Sequence, residues 1–469
     1  MSGTGASGAP RTKGARKTPG ARKTSGGTAA AGADAESKDA AAAARTDAML
    51  ESLQRDAFQY FMHETNSRNG LVLDKTTSNW PSSIAATGLG LTAYPVAVKR
   101  GFISRDQAIA RVLTTLRFFM GSHQGPESDA TGYRGFFYHF LDMQSGRRAW
   151  QCELSTVDSA ILFGGMLTAA AFFDGDSADE REIRSSADAL YRRADWQWAQ
   201  NGGVTVTHGW KPESGFLQWR WRGYDEALLL YVLGLGSPEH PLPDASYPAW
   251  VSTYQWKETY GQEFVYAGPL FIHQMSHIWI DFRGIQDAYM RGKGIDYFEN
   301  SRRATHAQRL YAIDNPLKFA HYCAECWGIT ASDGPGPDTA NVDGIQRVFY
   351  DYLARGVPYG PDDGTVAPWG VVASLPFAPE IVLPAIEHMV HDLDLNGNPY
   401  GFKATFNPTY PEKSGNPHGW VSPWHYGLNQ GPICSMIENY RSDLIWRLMR
   451  SCPYIVKGLQ RAGFQGGWL

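Results

Sequence analysis

The stretch GYDEALLLYVLGLG, residues 223–236, places two carboxylates, Asp225 and Glu226, directly before an apolar run that has no polar face. Such a run predicts a helix that is buried on all sides. Four aromatic residues lie close to it in the chain: Trp210, Trp219, Trp221 and Tyr224. A carboxyl group held against aromatic walls has a raised pKa, because burial disfavours its charged form, and it can then donate a proton at neutral pH. The alternative interpretation of the two acids is the ordinary preference for negative charge in the first turn of a helix.

The composition points to a carbohydrate-binding groove more readily than to a nucleic-acid surface. The chain has 469 residues and a net charge of −4, so its folded part has no overall basic character. Aromatic residues make up 13%, which suits a groove that stacks flat ligands such as sugar rings, although tryptophan-rich cores exist too. Among the five cysteines, Cys323 and Cys326 lack the second pair or the histidines that a zinc site needs. We therefore expect no zinc site at these cysteines.

The first 46 residues differ from the rest of the chain. Residues 1–46 are mostly Gly, Ala, Ser, Thr and basic residues, a composition that predicts a disordered tail, and residues 47–469 would form the folded domain. The pentapeptide GARKT occurs twice, at 14–18 and 20–24. A short basic tail of this kind can hold a polyanion weakly, or it can be a solvated leader without a partner.

The sequence contains no apolar stretch of the length that spans a membrane, and no secretory signal. Taken literally, it predicts a cytoplasmic protein, and a periplasmic or secreted one if the N-terminus is wrongly assigned. We expect a monomer whose partner is an oligo- or polysaccharide.

From residue 47 onward the apolar periodicity is helical, and amphipathic segments alternate with segments that are apolar throughout. The predicted fold is mainly α. About twelve helices, or six helical hairpins, would close a single (α/α)6 toroid with a β-hairpin and loop insertions around its cleft. The candidate helices are 47–66, 83–100, 104–120, 155–174, 179–199, 223–235, 248–258, 273–291, 296–313, 379–392, 431–448 and 452–462.

The connections between helices carry the other candidate site residues, since loops on a rigid scaffold carry most functional sites. Residues 133–150 predict a β-hairpin that projects Tyr138, His139 and Asp142. Glu153 and Asp158 then flank the start of a second apolar helix. Asp158 stands three residues after Ser155, the spacing of a capping box, so a role in capping the helix would account for this residue. Alternatively, the two acids could join Glu226 in supplying the acid and base of glycoside hydrolysis.

The block 268–305 contains His273 and His277 at a spacing of four, which can mark a metal site on a helix. No third ligand is evident, so we expect these histidines to line a sugar groove instead. Sugar hydroxyls need both acceptors and donors. Further candidates for substrate contacts are Trp279, Asp281, Arg283, Glu299, Arg302, Arg303 and Asp363.

Several motifs together resemble one family. They are GFFYHFLD, ELSTVD, GYDEALLLYVLGLGSPEHP, the block 268–305, TASDGPG, DDGT, PFAPE and NQGP. Over about residues 50–465 the chain is similar to the glycoamylase-like family of bacterial glycoside hydrolases, whose characterised members are chiefly β-1,2-glucanases and whose relatives form the transglycosylating part of cyclic β-1,2-glucan synthases. The resemblance implies an (α/α)6 toroid that hydrolyses β-1,2-glucan with inversion and without a cofactor. By motif, Glu226 would match the general acid, and the acids of ELSTVD would position substrate or water.

One position departs from the family pattern. The motif near the end of the family usually reads Asp-Gln-Gly-Pro, whereas this chain has Asn429 in place of the Asp. Asn cannot accept a proton. We expect Asn429 to contact the substrate together with Trp221 and Tyr224. Three functions follow in order of preference: a β-1,2-glucan hydrolase of endo or sophorose-releasing type, a transglycosylase on the same scaffold, and a non-catalytic glucan-binding protein.

Overall fold

The computed structural model describes the backbone of residues 27–411 and 418–469, and the side chains from residue 40 onward within those ranges. The chain divides into two units, Met1–Met49 and Leu50–Leu469. The repeated GARKT segments lie outside the described residues. Within the described part, no helix combines the length and the apolar character that crossing a membrane would require.

The described residues are mainly helical, with small sheets between the helices. The helices are α1 (Gly27–His63), α2 (Ile84–Lys99), α3 (Arg105–Gly121), α4 (Thr156–Phe172), α5 (Ala178–Arg192), α6 (Leu228–Gly236), α7 (Ser246–Val251), α8 (Ala288–Lys293), α9 (Tyr297–Asp314), α10 (Pro368–Val372), α11 (Pro379–Glu387), α12 (Gly427–Ser442), α13 (Leu444–Arg450) and α14 (Pro453–Arg461). Short 3₁₀ turns occupy Trp198–Gln200, Leu270–His273 and Met275–Ile278, and a π turn occupies His388–Asp392.

The strands are short and antiparallel. They are β1 (Ser82–Ser83), β2 (Gly132–Tyr133), β3 (Phe136–Tyr138), β4 (Phe140–Leu141), β5 (Leu154–Ser155), β6 (Gly209–Lys211), β7 (Gly215–Phe216), β8 (Trp256–Thr259), β9 (Gln262–Val265), β10 (Ala331–Ser332), β11 (Asp338–Val342), β12 (Ile345–Phe349), β13 (Leu353–Ala354), β14 (Phe406–Asn407) and β15 (Trp420–Val421). Five of them form one sheet in the order β2-β3-β5-β6-β7, and the others pair two by two.

Helices α2, α4, α6 and α12 form the buried centre of the second unit. Helix α2 packs on α4 and α12, and α4 also packs on α6. Small residues allow the close approach of α2 and α4, because a Cβ atom added at Gly165 would lie 2.0 Å from the carbonyl oxygen of Gly88. The helices are buried almost throughout, as their uniformly apolar sequences predict.

Helix α4 begins where the sequence predicts a cap. The Ser155 hydroxyl accepts a hydrogen bond from the backbone N–H of Asp158 at 3.3 Å and donates one to its carboxylate at 2.5 Å. Strand β5, which ends at this cap, pairs with β3 so that Tyr138 lies opposite Leu154. The backbone N–H of His139 consequently donates to the carbonyl oxygen of Glu153 at 2.9 Å. This register brings His139 and the acids of ELSTVD together.

Two structural predictions from the sequence are wrong, and a third is confirmed only in part. No continuous helix covers 273–291, since Asp281 accepts the backbone N–H of Arg283 and Gly284 adopts the left-handed conformation at φ 74°. The helix predicted at 248–258 is the six-residue α7, after which the chain enters strand β8. The predicted hairpin at 133–150 forms only over its second half: Leu141 and Arg148 make an antiparallel bridge on either side of the predicted turn at 144–146. In its first half, β3 pairs with β2 and β5, and β4 pairs with β1.

The tail also differs from the expectation of disorder over residues 1–46. Helix α1 begins at Gly27, so the backbone of residues 27–46 is helical. Alanine has the highest helix propensity, and it recurs throughout this segment. This propensity favours a helix even where little apolar surface can be buried. Residues 1–26 lie outside the described part of the chain.

Candidate active site

A cavity of about 480 Å³ opens where the N-terminal ends of α4, α10 and α12 meet the turn before α6. Its wall combines carboxylates with aromatic rings, a mixture that suits a polyhydroxylated ligand with apolar faces. The acids that line it are Asp74, Glu153, Asp158, Glu226 and Asp333. The aromatic residues are Trp80, Phe140, Trp221, Phe271, Tyr352, Trp369 and Tyr426. Other polar residues of the wall are Lys75, His139, Ser155, His208, Ser332 and Asn429.

Glu226 lies in the turn that leads into α6 and not in the helix itself. The Ser276 hydroxyl fixes this turn: it donates to the carbonyl oxygen of Glu226 at 3.3 Å and accepts from the N–H of Leu229 at 3.0 Å. Burial and, to a smaller extent, the charge of Asp158 raise the pKa of Glu226 to about 7. A substantial fraction of Glu226 is therefore protonated at neutral pH.

Asp225, its neighbour in sequence, does not line the cavity. Its carboxylate accepts hydrogen bonds from the indole N–H of Trp250 at 3.0 Å and from the backbone N–H of Ala227 at 3.1 Å. Burial, followed by the charge of Glu226, raises the pKa of Asp225 well above its ordinary value. Asp225 thus shapes the turn that presents Glu226.

His139 lies between two of the acids. Its Nδ1 atom is 2.8 Å from Glu153 Oε1, and its Nε2 atom is 3.6 Å from Asp158 Oδ2. The ring of Phe140 stacks on the imidazole with the centroids 4.0 Å apart. We call the three residues Glu153, His139 and Asp158 the His139 clamp.

The clamp holds opposite charges at neutral pH. Burial alone would lower the pKa of His139, but the charges of Asp158 and Glu153 outweigh it and raise that pKa to about 9. Burial alone would raise the pKa of Glu153, but the hydrogen bond and the charge of His139 outweigh it and lower that pKa to about 2. The imidazolium therefore stabilises the carboxylate of Glu153 in the same cavity as Glu226, a substantial fraction of which is protonated at neutral pH.

Other predicted residues also reach the cavity. Trp221 lines it, with the His208 ring stacked on the indole at 3.8 Å and the indole N–H bonded to the Thr156 hydroxyl at 3.0 Å. Asn429 lines it from the first turn of α12. The structure thus brings together Glu226, Asn429, Trp221 and the His139 clamp, which are distant from one another in the sequence.

The remaining aromatic and histidine candidates do not line this cavity. Tyr138 is buried with Arg148 stacked over its ring at 4.8 Å. Tyr224 packs on Tyr297 with the centroids 5.9 Å apart. The indole N–H of Trp279 bonds to the Thr92 hydroxyl at 3.1 Å in the core.

His273 and His277 are core residues as well. Both are buried, on separate 3₁₀ turns, and they contact the Ala267 carbonyl oxygen at 3.1 Å and the Ser301 hydroxyl at 3.0 Å respectively. Burial lowers their pKa values to about 4 and about 3. Within the described residues no cluster of His, Cys, Asp or Glu has the arrangement of a metal site.

The charged candidates outside the cavity are occupied by other protein groups. Asp142 accepts the N–H of Ser145 at 2.8 Å in a turn. Each of the others pairs with an opposite charge: Asp281 with Arg283 and Arg450, Glu299 with Arg303, Arg302 with Glu380, and Asp363 with Arg355. Their donors and acceptors serve internal contacts, which is why the sequence could not separate them from ligands of a sugar.

Sequence reasoning missed several cavity residues. Asp74 accepts the indole N–H of Trp80 at 3.0 Å, and Lys75 Nζ lies 4.2 Å from the centre of the same ring. Asp333 accepts the Ser422 hydroxyl at 2.7 Å. Asp333 belongs to the motif TASDGPG, in which it stands beside turn-forming residues. A polar residue in such a loop is typical of a functional site, so this motif could have predicted Asp333. The segment with Asp74 and Trp80 carries no comparable pattern.

A family model with the description "Glycoamylase: Putative glucoamylase" matches residues 218–453. The chain is 27% identical over 474 residues to an exo β-1,2-glucooligosaccharide sophorohydrolase (non-reducing end) of Parabacteroides distasonis. That alignment covers 91% of this chain and 60% of the relative, so the chain spans less than two thirds of the relative's length.

Solved structures agree with this match. A "putative glucoamylase" of Bacteroides uniformis is 31% identical with a TM-score of 0.79, and the match covers 90% of this chain and 98% of that one. An endo-β-1,2-glucanase of Chitinophaga pinensis, in complex with sophorotriose and glucose, is 25% identical with a TM-score of 0.79, covering 90% of this chain and 99% of the other. Since the family model covers half of the chain and the Bacteroides uniformis structure matches nearly end to end, the chain belongs to the glycoamylase family.

Proposed function

We propose that this protein hydrolyses β-1,2-glucan, with Glu226 as the general acid. The observation that carries the proposal is the contrast within one cavity between Glu226, whose pKa is about 7, and the ionised clamp beside it. Carboxyl groups with separated pKa values are what acid–base cleavage of a glycosidic bond requires. The substrate follows from relatives whose names specify β-1,2-glucans.

In the proposed reaction Glu226 donates its proton to the glycosidic oxygen as the bond to the anomeric carbon breaks. A water molecule attacks that carbon from the opposite face and gives a proton to a carboxylate, which inverts the configuration. Asp158 is our candidate for this carboxylate. Its contacts with Ser155 and His139 both use Oδ2, and no described residue donates to Oδ1, which leaves Oδ1 for the water.

Glu153 suits a supporting role better than that of the base. A carboxylate with a pKa of about 2 is a weak proton acceptor, and His139 already occupies Oε1. Its negative charge keeps His139 protonated, and His139 in turn orients Asp158. The clamp therefore acts as a unit in which only Asp158 faces the water.

We also propose that the second unit is a single catalytic domain built as an (α/α)6 toroid. The paired central helices α2, α4, α6 and α12 support this arrangement, with the cavity at their N-terminal side. The partial positive charge of the N-terminus of α4 therefore lies at the cavity, with Asp158 in the first turn.

Asn429 favours a second candidate function, transglycosylation on the same glucan. This amide lines the cavity at the position where the family motif carries Asp, and an amide cannot take a proton from water. A sugar hydroxyl would then attack the anomeric carbon in place of water and give its proton to Asp158. Products longer than the substrate would identify this reaction.

Product analysis tests both functions. Linear β-1,2-glucan should give short sophoro-oligosaccharides, with the inverted anomer first seen by NMR, and Glu226→Gln should abolish the release. Parallel incubations with β-1,3-, β-1,4- and α-linked glucans serve as controls. Cleavage of another polymer with β-1,2-glucan untouched would overturn the substrate assignment, and retention of configuration would overturn the inverting mechanism.

A further inference from the structure

An exposed tryptophan continues the aromatic wall of the cavity outward. Trp150 is 55% exposed, although large aromatic side chains are usually covered. Its indole packs edge-on against Trp80 with the centroids 4.6 Å apart, and it lies 5.2 Å from the ring of Phe140. Both neighbours line the cavity. The three rings form one surface, which we call the outer aromatic wall.

The backbone that presents Trp150 is strained. Trp150 and Gln151 have φ values of 56° and 53°, in the left-handed region that bulky residues rarely adopt. Glycine would occupy such positions without strain, so the presence of Trp needs a reason beyond the turn itself. Strain of this kind is concentrated at ligand-binding sites.

The segment around Trp150 is also held in place. The Arg148 guanidinium donates to the Cys152 carbonyl oxygen at 2.6 Å and to both carboxylate oxygens of Glu213 at 2.7 and 3.1 Å. The N–H of Ala149 donates to the Phe140 carbonyl oxygen at 2.9 Å. The indole is consequently presented to solvent on a fixed turn, which keeps the entropic cost of binding a ligand there low.

The position of Trp150 at the edge of the cavity suggests which ligand would bind to it. A cavity of about 480 Å³ holds a small ligand, whereas a glucan polymer must extend beyond it. The apolar C–H face of a glucose ring matches the flat face of an indole, and Lys75 Nζ, which can donate to a sugar hydroxyl, lies 4.2 Å from the centre of the Trp80 ring. A chain that leaves the cavity along Phe140 and Trp80 would next meet Trp150.

We infer that Trp150 forms an outer subsite that stacks a glucosyl residue and so favours long glucan chains over short ones. This inference rests on the proposed function. It adds a residue that determines chain-length preference, and it assigns no part in bond cleavage to Trp150.

The test compares Trp150→Gly with the wild type on sophorotriose and on long linear β-1,2-glucan. Gly removes the indole and relieves the strained backbone, so the variant should unfold at the same temperature as the wild type or a higher one. The ratio of kcat/KM for the long chain to kcat/KM for the trisaccharide should fall roughly tenfold, through KM, because one stacked ring is lost. Trp150→Tyr keeps an aromatic face and should restore most of the ratio.

Tyr440 provides the control. It is also exposed, at 39%, but it lies in α12 eleven residues beyond Asn429, away from the cavity end of that helix. Tyr440→Ala should leave the ratio unchanged. An unchanged ratio in Trp150→Gly, with the wild type active on glucan, would overturn the outer subsite alone. If the wild type neither cleaves nor binds β-1,2-glucan in calorimetry, the proposed function itself fails, and the subsite falls with it.

Discussion

Replacing Glu226 by Gln should reveal that this side chain serves catalysis at the expense of stability. Gln has nearly the same shape but neither gives up an acidic proton nor becomes charged. Loss of a general acid lowers kcat by about 10²- to 10⁴-fold. At the same time, the variant should be more stable than the wild type at alkaline pH, because the wild-type carboxyl group ionises in a buried place.

The size of this gain follows from the pKa. Burial raises the pKa of Glu226 from 4.5 to about 7, and a shift of one pH unit corresponds to 1.36 kcal/mol, so ionisation costs about 3 kcal/mol more in the folded protein than in the unfolded chain. The folded state binds the proton more tightly. The wild type therefore has the full stability of the protonated group below pH 4.5 and loses it as the pH rises through 7.

Denaturant unfolding of both proteins at pH 4.5, 6 and 8 measures the effect. Relative to the wild type, Glu226→Gln should gain up to about 3 kcal/mol between the lowest and the highest pH. Glu263, an exposed residue of β9, offers a matched control, since Glu263→Gln should change stability by less than about 0.5 kcal/mol at each pH. A difference between wild type and Glu226→Gln that is independent of pH would refute the raised pKa and with it the argument for the general acid.

Three further predictions concern the charges in and near the cavity. His139→Gln should lower kcat/KM at least tenfold, because Asp158 loses the side chain that orients it and the buried Glu153 loses the charge that keeps its pKa low; an unchanged kcat/KM would contradict the clamp. Arg355→Met should cost about 3–5 kcal/mol in denaturant unfolding, because the buried Asp363 loses its 2.8 Å partner, and adding Asp363→Leu should recover most of the loss. Asn429→Asp should move the basic limb of kcat/KM upward by about half a unit to one unit, because a second carboxylate raises the pKa of Glu226. No movement would mean that residue 429 lies too far from Glu226 to affect it.

The buried helices could be predicted from sequence because burial on all sides leaves a uniformly apolar run. Helices α4 and α6 show this clearly, and each delivers an acid to the cavity from its first turn or from the turn just before it. Glu226 and Asp158 were thus found from local signals. Their pKa values depend on which groups surround them, and only the fold determines those groups.

The block 268–305 shows where local pattern fails. His273 and His277 have the spacing of one helical face, yet they lie on two separate 3₁₀ turns and bond to buried partners. The same polar residue types make hydrogen bonds in the core and bind sugars, so the sequence alone does not distinguish the two roles. Asp74 was missed for the opposite reason: nothing near it in the chain indicates that Trp80 and the clamp will surround it.

Burial acts on the pKa of both Glu226 and Glu153, but a nearby positive charge opposes it only at Glu153. Burial disfavours the charged form of both Glu226 and Glu153, and only Glu153 has His139 within hydrogen-bond distance. The hydrogen bond and the charge of His139 are thus the main reason why the pKa of Glu153 is about 2, whereas that of Glu226 is about 7. An Asp at position 429 would add negative charge to the same cavity and raise the pKa of Glu226 further, whereas the uncharged Asn429 adds none.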